Sequence, residues 1–88
     1  MIHTIKILVP YADAIIDGRK TFEVRKNDRG YNAGDIVDFR VVDSVGLSMF
    51  THPLNEKQYE ITYVHSGLGL EKDYVVFGIK KKESEEEE

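Results

Sequence analysis

An α+β fold, a small mixed or mainly antiparallel β-barrel with one short helix after the first strand, is predicted by three observations. Five segments alternate apolar and polar residues with the period of two that half-buried strands require. One short helical pattern lies between the first two of them. The later connections are too short to hold crossover helices, so the later strands must pair mostly antiparallel. Five such strands curl into a small barrel, with the helix at an end or a seam.

The first strand is expected from Ile2 to Val9, with Ile5, Ile7 and Val9 on one face and Thr4 and Lys6 on the other. Pro10 suits the first turn of a helix, where its missing N–H costs nothing, and the helix runs over Tyr11–Asp17 with Ile15 and Ile16 as its apolar side. Gly18 fits a left-handed C-terminal cap. The second strand, Thr21–Lys26, is expected to turn Phe22 and Val24 to the core and Thr21, Glu23 and Arg25 outward. Asn27-Asp28-Arg29-Gly30 and Asn32-Ala33-Gly34-Asp35 read as turns. The third strand, Ile36–Asp43, sets Val37, Phe39 and Val41 against Asp38 and Arg40.

Residues 44–57 have no clear period. Gly46 and Pro53 break the segment, and Leu47, Met49 and Phe50 are expected to tuck back onto the barrel. The fourth strand, Gln58–His65, aligns Tyr59, Ile61 and Tyr63 as core residues. The glycines of Gly67-Leu68-Gly69 mark a turn, and the last strand, Tyr74–Lys80, carries Val75, Phe77 and Ile79 inward.

Eighty-eight residues allow one domain, expected over residues 1–82, with a thin core. There is no cysteine, which excludes disulfides, thiolate metal sites and cysteine nucleophiles. No apolar run is long enough to span a membrane and no signal-peptide pattern opens the chain, so a cytoplasmic protein, monomeric and without membrane contact, is expected. His3, His52 and His65 show no ligand spacing, and no phosphate loop or dinucleotide fingerprint occurs; no metal, no cofactor and no catalytic group is assigned.

The net charge of −4 is unevenly distributed. Residues 83–88 hold five carboxylates and read as a disordered acidic tail, and without them 12 basic side chains face 11 acidic ones. The positive charge concentrates between residues 19 and 29, in Arg19, Lys20, Arg25, Lys26 and Arg29, with Glu23 among them. Lysine and arginine donate to phosphate, arginine as a bidentate fork, while a carboxylate accepts from an exocyclic amine or orients the bases around it. Arg19, Lys20, Glu23, Arg25, Lys26 and Arg29 are therefore the candidate ligand-binding residues. Tyr31, Tyr59, Tyr63 and Tyr74 are the rings available for base stacking; Tyr59 and Tyr63 align with the core residue Ile61, so Tyr31, at a turn, is the better candidate.

Gly18-Arg19-Lys20-Thr21-Phe22-Glu23-Val24-Arg25 resembles the G-x-K-x-x-E-x-R pattern of ASCH domains, members of the PUA-like superfamily. The opening His3-x-x-Lys6-Ile7-Leu8, the run from Thr21 to Arg29 and the end Tyr74-Val75-Val76-Phe77-Gly78-Ile79 resemble, more narrowly, the small phage and bacterial domain-of-unknown-function family 3850. The resemblance implies a PUA-like pseudobarrel, with Lys20, Glu23 and Arg25 beside a cleft for RNA or a modified nucleotide. Some small ASCH relatives look like amidohydrolases of acetylated cytidine that use a lysine, a threonine and a glutamate. Lys20 matches that lysine, but Glu23 stands at the threonine position, and the third group has no firm match, Glu60 and Glu71 being candidates for it. The expected function is an RNA- or nucleotide-binding module, with such a hydrolase, or a protein-interaction module using loop 44–57 and the tail, as alternatives.

Overall fold

A computed structural model of the protein describes residues 1–83, so the acidic tail expected at 83–88 lies outside the described residues but for Glu83. Strands β1 (Ile2–Leu8), β2 (Phe22–Lys26), β3 (Ile36–Val42), β4 (Gln58–Ser66) and β5 (Tyr74–Lys81) form one sheet, with helix α1 (Val9–Ile16) between β1 and β2. The strand order is β1-β3-β4-β5-β2. The β1/β3 pair is parallel and the other three are antiparallel. This is a mixed α+β half-barrel whose two edge strands are β1 and β2.

The helix starts one residue before Pro10 and ends in a Schellman motif. Arg19 N donates to Ala14 O and Gly18 N to Ile15 O, both at 3.0 Å. Gly18 has φ of 80°, a conformation open to glycine at little steric cost. The core gathers the alternate residues of each strand: Ile5 and Ile7 from β1, Val37, Phe39 and Val41 from β3, Tyr59 and Ile61 from β4, and Val75, Phe77 and Ile79 from β5. Ala12 and Ile15 of α1 close one side.

Four expectations require correction. On β2 the alternation is present but faces the other way. Glu23 lies opposite Phe77 and Arg25 opposite Val75. Directly opposed residues of an antiparallel pair share a face, so the core register of β5 carries Glu23 and Arg25 inward. Glu23 is only 4% exposed, while Phe22 and Val24 are 45% and 49% exposed.

On β4, register shifts between Ile61 and Tyr63, against Ile79 and Gly78. This bulge turns Tyr63 out to solvent and half-buries Val64 instead. Thr62 occupies the space over Gly78, where an added Cβ would lie 2.7 Å from Thr62 Oγ1.

In residues 44–57, Leu47 and Phe50 are exposed, and Leu54, on a 3-10 helix over Pro53–Glu56, is the side chain that enters the core. Polar side chains hold this segment. Asn55 Oδ1 accepts from Val41 N at 2.8 Å, and its Nδ2 donates to Met49 O at 2.6 Å. His52 Nδ1 accepts from Leu54 N, while its Nε2 donates to Asp13 of α1 at 2.8 Å.

Tyr31 is the fourth correction. It is 4% exposed and packs between the rings of His3 and Phe77, with both centroid distances 4.8 Å. Burial raises its phenol pKa, against the opposing pull of Arg29 and Arg25. No base can stack on it in this fold.

Beside Tyr31, the buried His3 Nε2 donates to Asp35 Oδ2 at 2.8 Å, and Asn32 N donates to the same carboxylate at 3.1 Å. The His3 hydrogen bond, above all, holds the Asp35 carboxyl below its ordinary pKa of 3.8; the Asn32 backbone bond and the terminal amine add to it, and burial opposes them. A depressed folded pKa contributes stability that is complete above the unfolded value and is lost as pH falls through the folded one. Wild-type urea midpoints are therefore expected to fall as pH drops below ~4, more steeply than those of Asp35→Asn. Parallel profiles for the two proteins would contradict this.

Candidate functional site

The two edge strands do not pair with each other. The seam between them is crossed by arginine side chains of β2 and the turn after it. Arg25 Nη2 donates to Lys6 O at 2.5 Å, and Arg29 Nη1 to Thr4 O at 2.6 Å. Both acceptors lie on β1. In a parallel ladder alternate residues turn their backbone groups to the partner, which leaves the carbonyls of Thr4 and Lys6 free at the outer edge. The guanidinium groups thus fill hydrogen bonds that a sixth strand would otherwise make.

Along this seam runs a groove of about 650 Å³, lined by Lys6, Ile7, Leu8, Tyr11, Lys20, Phe22, Glu23, Val24, Arg25, Lys26 and Tyr74. That volume lies within the roughly 300–1,000 Å³ common for small-molecule sites. Its polar part is a three-residue cluster. Lys20 Nζ donates to Glu23 Oε1 and also to Phe22 O, the latter at 2.6 Å. Arg25 Nε donates to Glu23 Oε2 at 2.9 Å. Each oxygen of the buried carboxylate thus has its own cation, which is how a charge is held away from water in a fold. An inward charge on an edge strand also keeps that edge from pairing with another chain.

The apolar part is aromatic. Tyr11 of α1, Phe22 and Tyr74 are exposed around the groove, and Lys20 Nζ lies 5.1 Å from the Phe22 ring centroid and 5.8 Å from that of Tyr11. At these distances the ring faces attract the ammonium.

Of the six candidate residues, Lys20, Glu23, Arg25 and Lys26 line this groove. Arg19 does not; it turns back to Asp17, with Nη2 at 2.9 Å and Nε at 3.2 Å from Oδ2. Arg29 is engaged at Thr4 O, outside the lining. Tyr74, one of the four tyrosines considered for stacking, lines the groove, whereas Lys6, Leu8 and Tyr11 were missed by sequence reasoning. These three come from β1 and α1, outside the basic segment, and their one visible signal is that Lys6 and Leu8 occupy the polar-face positions of β1. Among the described residues, no group of three His, Asp or Glu is placed to hold a metal ion, and no helix is long and apolar enough to cross a membrane.

A five-stranded half-barrel with a cationic, aromatic-flanked groove along its open seam defines the class of this protein as a small α+β domain with a surface groove at that seam. Residues 2–79 match the family model described as a domain of unknown function, DUF3850, and the chain belongs to that family. No curated protein matches the chain.

Proposed function

We propose that the seam groove binds single-stranded RNA or a modified nucleotide. The observation that carries this reading is the pairing of four cations, Lys6, Lys20, Arg25 and Lys26, with exposed aromatic rings in one groove around a single buried carboxylate. Cations track phosphates, and rings stack on bases whatever their sequence. The G-x-K-x-x-E-x-R motif lies on one wall of the groove, and the helix follows the first strand of a half-barrel. Both features support the ASCH and PUA-like kinship, whose members use such a cleft for RNA or nucleotide-like ligands.

Binding is favoured over hydrolysis of an acetylated nucleoside by two features. Lys20 Nζ spends donors on Glu23 and Phe22 O, the arrangement of a fixed cation rather than of a base offering a lone pair. Among the described residues no serine or threonine lines the groove, and Thr21 is exposed, its carbonyl accepting from Ile79 N.

The test is an NMR titration with short oligouridylates at several salt concentrations. Amides of residues 20–26 and of Lys6 to Leu8 are expected to shift, with affinity falling as salt rises. Lys26→Ala is the clean variant, because Lys26 makes no ion pair among the described residues. It should keep the fold and reduce the logarithmic salt slope by about 0.7, one phosphate's worth for a single strand. Titration that leaves all groove resonances in place would overturn the proposal.

A further inference from the structure

We propose that Glu23 is a specificity-determining residue that tunes the groove to singly charged phosphodiesters, the internal links of a nucleic acid strand, and against terminal phosphate monoesters. This rests on the nucleotide-binding reading above and names the ligand class within it.

Glu23 is poorly placed to read a base. It is buried, and its two oxygens are taken by Lys20 and Arg25. Its effect on a ligand is therefore electrostatic, acting through those two cations. The cluster of Lys20, Arg25 and Glu23 carries a net charge of +1 where two bare cations would carry +2. Lys6 and Lys26 add one charge each to the lining, and neither has an ion-pair partner among the described residues. The Lys20–Arg25 pair is thus a single net positive charge rather than a dication.

Donors remain available beside that carboxylate. An ammonium has three N–H groups and a guanidinium five. Lys20 uses two of its three, and Arg25 two of its five, on the partners described. A phosphate oxygen can reach the remainder without displacing Glu23. A phosphodiester brings one negative charge, matching the cluster. A monoester brings nearly two at neutral pH, its second pKa being about 6. Attraction to the cluster grows linearly with ligand charge, whereas the cost of removing the ligand from water grows as the square of that charge. Against a cluster that Glu23 holds at a net +1, the desolvation cost therefore favours the diester.

The test compares uridine 5′-monophosphate with its methyl ester, uridine 5′-(methyl phosphate), which has the same base and sugar and one charge fewer. Titrations are followed by NMR on the full chain at pH 7.5. The wild-type protein is expected to bind the methyl ester about threefold or more tighter than the monoester. Glu23→Gln, which raises the cluster to +2, should reverse that order, and Glu23→Asp, which keeps the charge, should restore it. Equal or tighter binding of the monoester by wild type overturns the inference, and that comparison stands even if Glu23→Gln fails to fold. Failure of both nucleotides and of oligouridylate to bind would instead overturn the nucleotide reading itself, and this inference with it.

Discussion

Tyr31→Ala is expected to destabilise the protein by about 3–5 kcal/mol, the range for removing a buried aromatic ring. In a domain of this size that lowers the melting temperature by about 15 °C or more. The ring joins His3 to Phe77, and its loss opens a cavity between β1 and β5. Tyr31→Phe keeps the ring and should retain most of the stability. Calorimetry gives the destabilisation directly. The same variant separates two roles, since a stacking tyrosine would be dispensable for folding and needed for binding. Where Tyr31→Ala is still folded, at low temperature, its oligouridylate affinity should equal that of wild type. Unchanged stability with lost binding would mean that the ring faces the ligand after all.

Arg25→Ala should have the second largest effect, about 2–3 kcal/mol, because it removes two interactions at once. Glu23 Oε2 loses its cation and Lys6 O loses its donor. The loss falls short of that for a fully buried ion pair because the Arg25 side chain is 27% exposed and water enters its place. Arg25→Lys should recover only part of the stability, since a single ammonium replaces a fork that reaches two acceptors in different directions. Chemical denaturation measures both variants, and amide exchange at Lys6 to Leu8 should rise as the seam loosens. A variant as stable as wild type, with β1 amides equally protected, would show that the bridge contributes nothing to holding β1. Arg25 thus has a structural as well as a ligand-facing role, which makes Lys26 the cleaner probe of binding.

The fold class, the succession of strands and the helix with its Gly18 cap were legible in the sequence because each follows from local rules. Apolar alternation marks a strand, proline opens a helix, and glycine accepts a positive φ. The candidate site was half legible. A basic segment after a helix cap is visible as composition, and four of its six candidate residues line one groove. Arg19 and Arg29 look the same in sequence as Lys20 and Arg25. They differ because Asp17 and the Thr4 carbonyl lie within their reach, and the second of those partners is 25 residues away.

Which face of a strand is the inner one was decided only by tertiary pairing. Alternation on β2 is symmetrical between Phe22 with Val24 and Glu23 with Arg25, and the hydrophobic rule alone favours the wrong pair. Register against Phe77 and Val75 sets the choice, and the buried charge becomes acceptable because Lys20 and Arg25 neutralise it from either side. The bulge after Ile61 reverses the direction of Tyr63 in the same way, by inserting one residue that no periodic pattern reveals. Local sequence therefore determined which elements form. The pairing of strands distant in the chain decided what they face, and with it that the unpaired seam between β1 and β2 became the groove.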